Sequence, residues 1–200
     1  MMTLRHSTTS PFARKVWVVA LETGLDRRID LLPSFPWVPD SPVAADNPLG
    51  KIPVLITPEC GALFDSPVIC EYLDSLHDGP RLFPAAGPER WAALRQQAVA
   101  DGICDAAVLC RLESLRPEDR RSDDWMGRQR AAIARALDVL AAALPAPGPV
   151  TIGHIALACA LGYLDFRQPV ADWRAGRPGL AAWYQAMLER PSLAATPPHD

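Results

Sequence analysis

Lysine is nearly missing from this chain: of its 20 basic residues, all but Lys15 and Lys51 are arginine. The net charge is −3 and the isoelectric point about 5.8, so no basic balance favours nucleic acid or an anionic membrane. Long apolar runs are missing too. The most apolar stretch, Ile155 to Leu164, is too short to span a bilayer. The opening MMTLRHSTTSPFARK has no apolar core of signal-peptide length before its charges. Five cysteines stand at positions 60, 70, 104, 110 and 159 with no C-x-x-C pair and no zinc spacing. Their odd number and apolar surroundings suit reduced, buried thiols and a cytoplasmic location. The histidines are scattered, and neither G-x-G-x-x-G nor the phosphate-loop pattern occurs. The expectation is a protein with no metal and no nucleotide cofactor loop.

What is present is an ordinary globular balance, 49% hydrophobic and 22% charged, with 200 residues for one large domain or two small ones. The 21 prolines fall at element ends rather than in one tract. The most informative stretch is Asn47 to Tyr72. Asn47-Pro48-Leu49-Gly50 reads as a turn, Ile52 to Ile56 as a strand, Glu59-Cys60-Gly61 as a tight turn and Ala62 to Phe64 as a second strand. Asp65-Ser66-Pro67 opens a helix, with Ser66 at the N-cap, Pro67 at the first helical position, and Val68, Ile69, Tyr72, Leu73 and Leu76 at helical spacing.

Two details of this stretch carry chemistry. Pro53 at the start of a strand suits an edge position or a cis bond. A cis Ile52–Pro53 bond turns the Ile52 N–H and C=O outward, where they pair with an extended peptide as a strand does. Asp65-Ser66 sets a carboxylate, a hydroxyl and free N–H groups at one helix start, an arrangement that holds a carboxylate and an ammonium together. A plain hairpin and a well-capped helix account for either detail alone.

Around this stretch the pattern is β-α-β, an irregular segment, then β-β-α. Met2 to Ser7 is a candidate strand, Pro11 to Gly24 a helix capped by Ser10, and Arg28 to Leu32 a second strand. Pro33 to Asp46 is loop with one helical turn. A Gly/Pro linker follows from Asp78 to Pro88, and from Glu89 onward there is no strand. One long helix carries Trp91, Leu94 and Ala98, runs to about Leu115 and stops at Pro117. A second, from about Asp124, sets Ile133, Leu137, Leu140 and Leu144 on one face and stops at Pro145 to Pro149. A third starts at Thr151 and is apolar all round, so it is the buried centre. A last one starts at Pro178 and ends at Pro191, before a frayed tail to Asp200.

Ser10-Pro11-Phe12-x-Arg14-Lys15-Val16, Asn47 to Leu55 and Phe64-Asp65-Ser66-Pro67-Val68-Ile69-x-x-Tyr72-Leu73 together resemble the catalytic loop, cis-proline segment and helix motif of serine-using glutathione transferases. Ala100-Asp101-Gly102-Ile103-x-Asp105-Ala106 and Trp183…Arg190-Pro191-Ser192 resemble the family's helical half. The resemblance implies an α/β thioredoxin-like glutathione-binding domain over residues 1–78 and an all-helical domain over 89–200. One departure stands out. The family often has Ser/Thr-x-x-Asp at the start of its buried helix, where this chain has Thr151-Ile152-Gly153-His154. A neutral histidine is not expected to repeat the reciprocal carboxylate bond of that capping box.

The resemblance implies glutathione as co-substrate. Ser10 points its hydroxyl at the sulfur, with Thr9 as the alternative. That hydroxyl and the positive end of the first helix together lower the thiol pKa by about one to two pH units. Ile52 and Pro53 present backbone to the cysteinyl unit, and Asp65 and Ser66 hold the γ-glutamyl end. Lys51 either meets the glycyl carboxylate or is solvated, and Trp37 either walls the site or packs its loop. Asp101 either reaches the γ-glutamyl ammonium of a neighbouring subunit or is a surface carboxylate. Cys104, Asp105 and Val108 line an electrophile pocket, while Arg14 and Lys15 are solvated or ion-paired. The implied protein is a homodimeric transferase in detoxification, taking a small, partly apolar electrophile, with no nucleic acid or membrane partner. Two alternatives are a non-catalytic binding or regulatory module and a glutathione-dependent thiol reductase or peroxidase. The reductase branch places Cys where Ser10 stands.

Overall fold

Met2 and Leu4 alternate with Thr3 and Arg5, the two-residue period of a strand, and the sheet is built outward from them. In the computed structural model, which describes residues 1–145 and 148–200, β1 (Met2–His6) pairs in parallel with β2 (Ile29–Pro33) and antiparallel with β3 (Val54–Thr57). β4 (Gly61–Leu63) closes the hairpin, giving the order β2-β1-β3-β4. The crossover from β1 to β2 is α1 (Pro11–Glu22), which buries Val16, Val18, Val19 and Ala20. It ends at Thr23 and Gly24, the latter at φ +67°, a conformation glycine adopts without a Cβ clash. A single helical turn, α2 (Val43–Asp46), interrupts the proline-rich loop, as the sequence predicts. α3 (Ser66–Ser75) packs beside α1.

The helical half begins earlier than expected. α4 spans Gly87–Ser114, so Pro88 lies in its first turn rather than in the linker. The linker itself is pinned. The buried Asp74 carboxylate accepts the Leu82 N–H at 2.8 Å and the Phe83 N–H at 3.1 Å, and the Leu82 carbonyl accepts the Ile152 N–H at 2.9 Å. α5 (Asp123–Ala142) buries Ile133, Leu137 and Leu140. Leu144 falls beyond its end and is exposed, because the helix stops two residues before that position is reached. The expected stop at Pro145 to Pro149 lies partly outside the described residues. α6 (Ile152–Arg167) is buried from Ile152 through Leu164 and packs most extensively on α4, the central position its all-round apolar sequence predicts. α7 (Pro178–Leu188) buries Leu180, Tyr184 and Met187. Pro191 does not merely end it but starts a further turn, α8 (Pro191–Ala194).

Two expectations are corrected by local geometry. The Thr151 N–H donates to His154 Nδ1 at 3.2 Å, so the imidazole returns the capping bond after all: a ring nitrogen without a proton carries the lone pair the bond needs. The tail is held rather than frayed, since Arg14 reaches Thr196 and Arg167 reaches Asp200.

Candidate functional site

Three local features of the sheet half carry the predicted site residues. Ser10 caps α1, its Oγ accepting the Ala13 N–H at 3.2 Å. An N-cap serine uses an oxygen lone pair, so its own hydrogen remains available to donate. Capping and thiolate binding are therefore compatible roles for one hydroxyl. The alternative, Thr9, has its Oγ1 2.8 Å from Ser7 Oγ, which makes Ser10 the less committed donor.

The second feature is the turn before β3. Buried Asn47 organises it: its side-chain oxygen accepts the Leu49 N–H at 3.0 Å and its amide donates to the Lys51 carbonyl at 2.8 Å. Gly50, at φ +61°, accepts the left-handed corner. The Ile52–Pro53 bond is cis, the one of the two readings of Pro53 that the family resemblance implies. The ladder with β1 pairs Val54 with Arg5 and goes no further, so Ile52 keeps its backbone N–H and C=O out of the sheet.

The third feature is the start of α3, where the sequence reading is off by one residue. The N-cap is Asp65, not Ser66; Ser66 and Pro67 occupy the first turn. Both Asp and Ser are good caps, and helical spacing does not choose between neighbours. The Asp65 carboxylate accepts the Ser66 N–H at 2.5 Å. The Ser66 side chain is 0% exposed, and its Oγ has no hydrogen-bond partner among the described residues. A buried hydroxyl left unpaired is costly, which singles this oxygen out among the predicted site residues.

The helical half faces these features with charge. Lys15 Nζ lies 2.6 Å from Asp101 Oδ1 and 2.7 Å from Oδ2, so Asp101 is not a solvated surface carboxylate but the partner of a buried ammonium. Burial raises the Asp101 carboxyl above its ordinary range; Lys15 opposes this and Asp65 and Asp105 add to it. Asp105 is likewise raised by burial, with Lys51 and Lys15 opposing and Asp65 adding. Both lysines of the chain thus share one electrostatic neighbourhood with Asp65, Asp101 and Asp105. Lys15 is ion-paired, one of the two states the sequence leaves open for it; the identity of its partner is what spacing does not supply.

The predicted residues differ in exposure. Lys51 is exposed. Trp37 is 69% exposed, so loop packing does not describe it. Of the expected electrophile residues, Asp105 and Val108 reach the surface, and Cys104 is buried. Burial pushes the Cys70 thiol up to about 12 and raises Cys104 and Cys159 as well. Cys60, in the β3–β4 turn, is exposed, contrary to the expectation that all five are buried. A cavity of about 680 Å³ lies elsewhere, between α5 and residues 168–174, and none of the predicted site residues lines it. There Asp165 is already engaged by Trp173 Nε1 and both Arg174 terminal nitrogens.

A four-stranded mixed sheet flanked by α1 and α3, with a cis-proline turn and an all-helical second half, defines a thioredoxin-like domain joined to a helical one. The family description "Glutathione S-transferase, N-terminal domain" matches residues 9–76, and "Glutathione S-transferase, C-terminal domain" matches residues 123–186. The chain belongs to the glutathione S-transferase family. It is 39% identical over 201 residues to the uncharacterized GST-like protein YibF of Escherichia coli strain K12, covering 98% of each chain. It is also similar to a glutathione transferase family member of Pseudomonas fluorescens Pf-5 solved with bound glutathione, at 46% identity, full coverage of both chains and a TM-score of 0.96. Another structure from that organism, solved with bound S-(propanoic acid)-glutathione, gives 45% identity, full coverage of both and a TM-score of 0.91.

Proposed function

We propose that the protein is a glutathione transferase, in which residues 1–78 bind glutathione and residues 89–200 supply the wall against which an electrophile is held. The observation that carries this reading is the buried, unpartnered Ser66 Oγ at the positive end of α3. A γ-glutamyl carboxylate supplies the missing partner. The Asp65 carboxylate, which now covers the Ser66 N–H, turns to the ammonium of the same unit. Ile52 gives its backbone N–H and C=O to the cysteinyl unit. The sulfur then lies toward Ser10, whose hydroxyl donates to the thiolate while the N-terminal end of α1 adds its dipole. The thiolate is the nucleophile, and the protein's further contribution is to position the electrophile. The solved relatives of Pseudomonas fluorescens, with glutathione and S-(propanoic acid)-glutathione bound, support glutathione as co-substrate.

A thiol reductase is the weaker reading. Cys70, Cys104 and Cys159 are buried with raised thiols, and position 10 is serine. A homodimer working in the cytoplasm completes the proposal; exposed Val68 on α3 and Trp91 on α4 are apolar surface that a second copy would cover. The test is calorimetric titration with glutathione. Saturable binding in the native chain, weakened in Asp65→Ala, and a bound-thiol ultraviolet titration moved up by about one pH unit in Ser10→Ala, is the expected result. No binding at millimolar glutathione would sink the proposal and favour the non-catalytic module.

A further inference from the structure

The chain after α7 crosses α1 as a strap. Arg190 bonds Glu22 at the C-terminal end of α1, with Nε 3.0 Å from Oε1 and Nη2 2.6 Å from Oε2. Arg14, toward the other end, donates from Nη2 to the Leu193 carbonyl at 3.3 Å and from Nε to Thr196 Oγ1 at 3.4 Å. Its guanidinium is seated against α6 at Gly162. A Cβ there would collide with Arg14 Nη1 and would lie 3.0 Å from the Tyr184 hydroxyl oxygen, so glycine is what admits a guanidinium to this place.

The sequence leaves Arg14 solvated or ion-paired, and it is neither. Arg14 and Lys15 are consecutive and both buried, at 7% and 1% exposure, yet only Lys15 is neutralised, by Asp101. Among the described residues Arg14 meets no carboxylate at ion-pair distance. Its partners are a carbonyl and a hydroxyl, and Nη1, beside the Tyr184 hydroxyl, is buried without a well-formed hydrogen bond. The elements packed on it bring no anion either. The strap from Pro191 to Thr196 holds no acid. From Ile155 to Leu164, α6 is apolar save the Cys159 thiol and the Tyr163 phenol, and α7 adds the Tyr184 phenol. Burial raises the Cys159 and Tyr184 pKa values against the opposing Arg14 charge, so both groups stay neutral near pH 7.

A buried charge without a counter-ion is a net cost to the fold. This one also runs against the rule for helix starts, where the dipole favours acids: the first turn of α1 holds none. Positive potential is therefore concentrated at the Ser10 end of α1. The Arg14 N–H bonds the Ser10 carbonyl at 3.0 Å, which sets the residue one turn above Ser10, and helical side chains lean back toward the N-terminus. With about 6 Å along the axis and roughly 7 Å of side chain, the guanidinium lies within about 13 Å of the Ser10 Cα whichever way it turns. At a separation of that order, and an effective dielectric of roughly 20–40, one charge moves a thiol by about half to one pH unit. We propose that Arg14 is an electrostatic determinant of the nucleophile: its unneutralised guanidinium acts through space, with the α1 dipole and the Ser10 hydroxyl, to hold bound glutathione as the thiolate. The thiol gives its proton to water, and nothing is oxidised or reduced. The inference rests on the glutathione reading of the site and deepens it.

The test is an ultraviolet pH titration of the thiolate in the full chain saturated with glutathione. Thr196→Asp sets a carboxylate where Arg14 Nε now meets the Thr196 hydroxyl, and so neutralises the guanidinium in place; Thr196→Asn is its uncharged counterpart. Thr196→Asp raises the bound-thiol pKa by about half to one pH unit, and Thr196→Asn leaves it within about 0.2 of the native value. Arg14→Met raises it likewise, and Arg14→Lys restores most of the difference. A role for Arg14 confined to holding the strap predicts otherwise: the new ion pair firms the strap and leaves the thiol alone. Thr196 is half-buried in the strap, so its two variants answer the question even where Arg14→Met does not fold. A thiol unmoved by Thr196→Asp, or moved equally by Thr196→Asn, overturns the inference while glutathione binding stands. Absence of saturable glutathione binding in the native chain overturns the transferase reading and the inference with it.

Discussion

The Lys15 ammonium sits between both oxygens of Asp101, at 2.6 and 2.7 Å, tying α1 of the sheet half to α4 of the helical half across 86 residues of sequence. Lys15 is 1% exposed, so this is a charge with no recourse to water.

Removing one partner of such a pair costs far more than the pair is worth. Asp101→Ala strands the Lys15 ammonium and is expected to cost about 3–5 kcal/mol in urea unfolding. Lys15→Met is expected to depend on pH. Burial already places the Asp101 pKa above its unfolded value of 3.8, so the native state holds the proton longer and stability falls as pH rises through that window. Without Lys15 the folded value climbs further. The Lys15→Met penalty should be small at pH 4 and larger at pH 7.5; a penalty equal at both would contradict this account.

Ser66→Ala should separate stability from affinity. Its Oγ is buried and unpaired, so deleting it costs the free protein nothing, or raises stability by about 1 kcal/mol. A hydrogen bond to a carboxylate is worth about 1.5–3 kcal/mol, so glutathione affinity should fall by roughly ten- to a hundredfold. Thermal unfolding and calorimetry on the same sample check both signs.

Acid should loosen the strap at the far end of α1. Burial alone would raise the Glu22 carboxyl, but bonds from Arg190 and Ser192 outweigh it and hold the group below its ordinary 4.5. A depressed carboxylate stabilises the fold above the unfolded pKa, and that stability is lost as pH falls through the folded value. Arg190 is partly exposed, so the contribution is about 1 kcal/mol. Glu22→Gln should therefore be less stable at pH 7, with the difference from the native chain shrinking as pH falls below 4.5, as read by denaturant midpoints.

Gly153 marks a close approach of α6 to α4. A Cβ there would lie 2.6 Å from Gln96 Oε1 and 2.9 Å from the Ala93 carbonyl, which belongs to the helix backbone. Alanine gains about 1 kcal/mol in helix propensity and loses about 1–3 to overpacking. Gly153→Ala should lower the unfolding midpoint; a rise would mean that α4 gives way.

The parts of this molecule that could be read in advance are local ones. The Asn47 turn, the cis Ile52–Pro53 bond and the Ser10 cap each depend on residues within a few positions of one another. The Ser66 cap was misplaced by one because Asp65 competes for the same role. His154 was misjudged because the capping box was read by charge when it depends on a lone pair. Lys15 with Asp101 and Arg167 with Asp200 could not be paired from spacing, since only the packing of separate helices brings them together. Leu144 kept the helical period after the helix itself had ended.

The scarcity of lysine has a practical side. Lys15 is sealed in its ion pair, while Lys51 is exposed and acts on Asp105 of the helical half. An amine-reactive dye therefore has one lysine to find besides the α-amino group, and that lysine stands in the electrostatic neighbourhood of Asp65, Asp101 and Asp105. Labelling well above the α-amino pKa of about 8, where the two amines compete, should give a lysine-linked fluorescent reporter beside Asp105 with no cysteine to engineer.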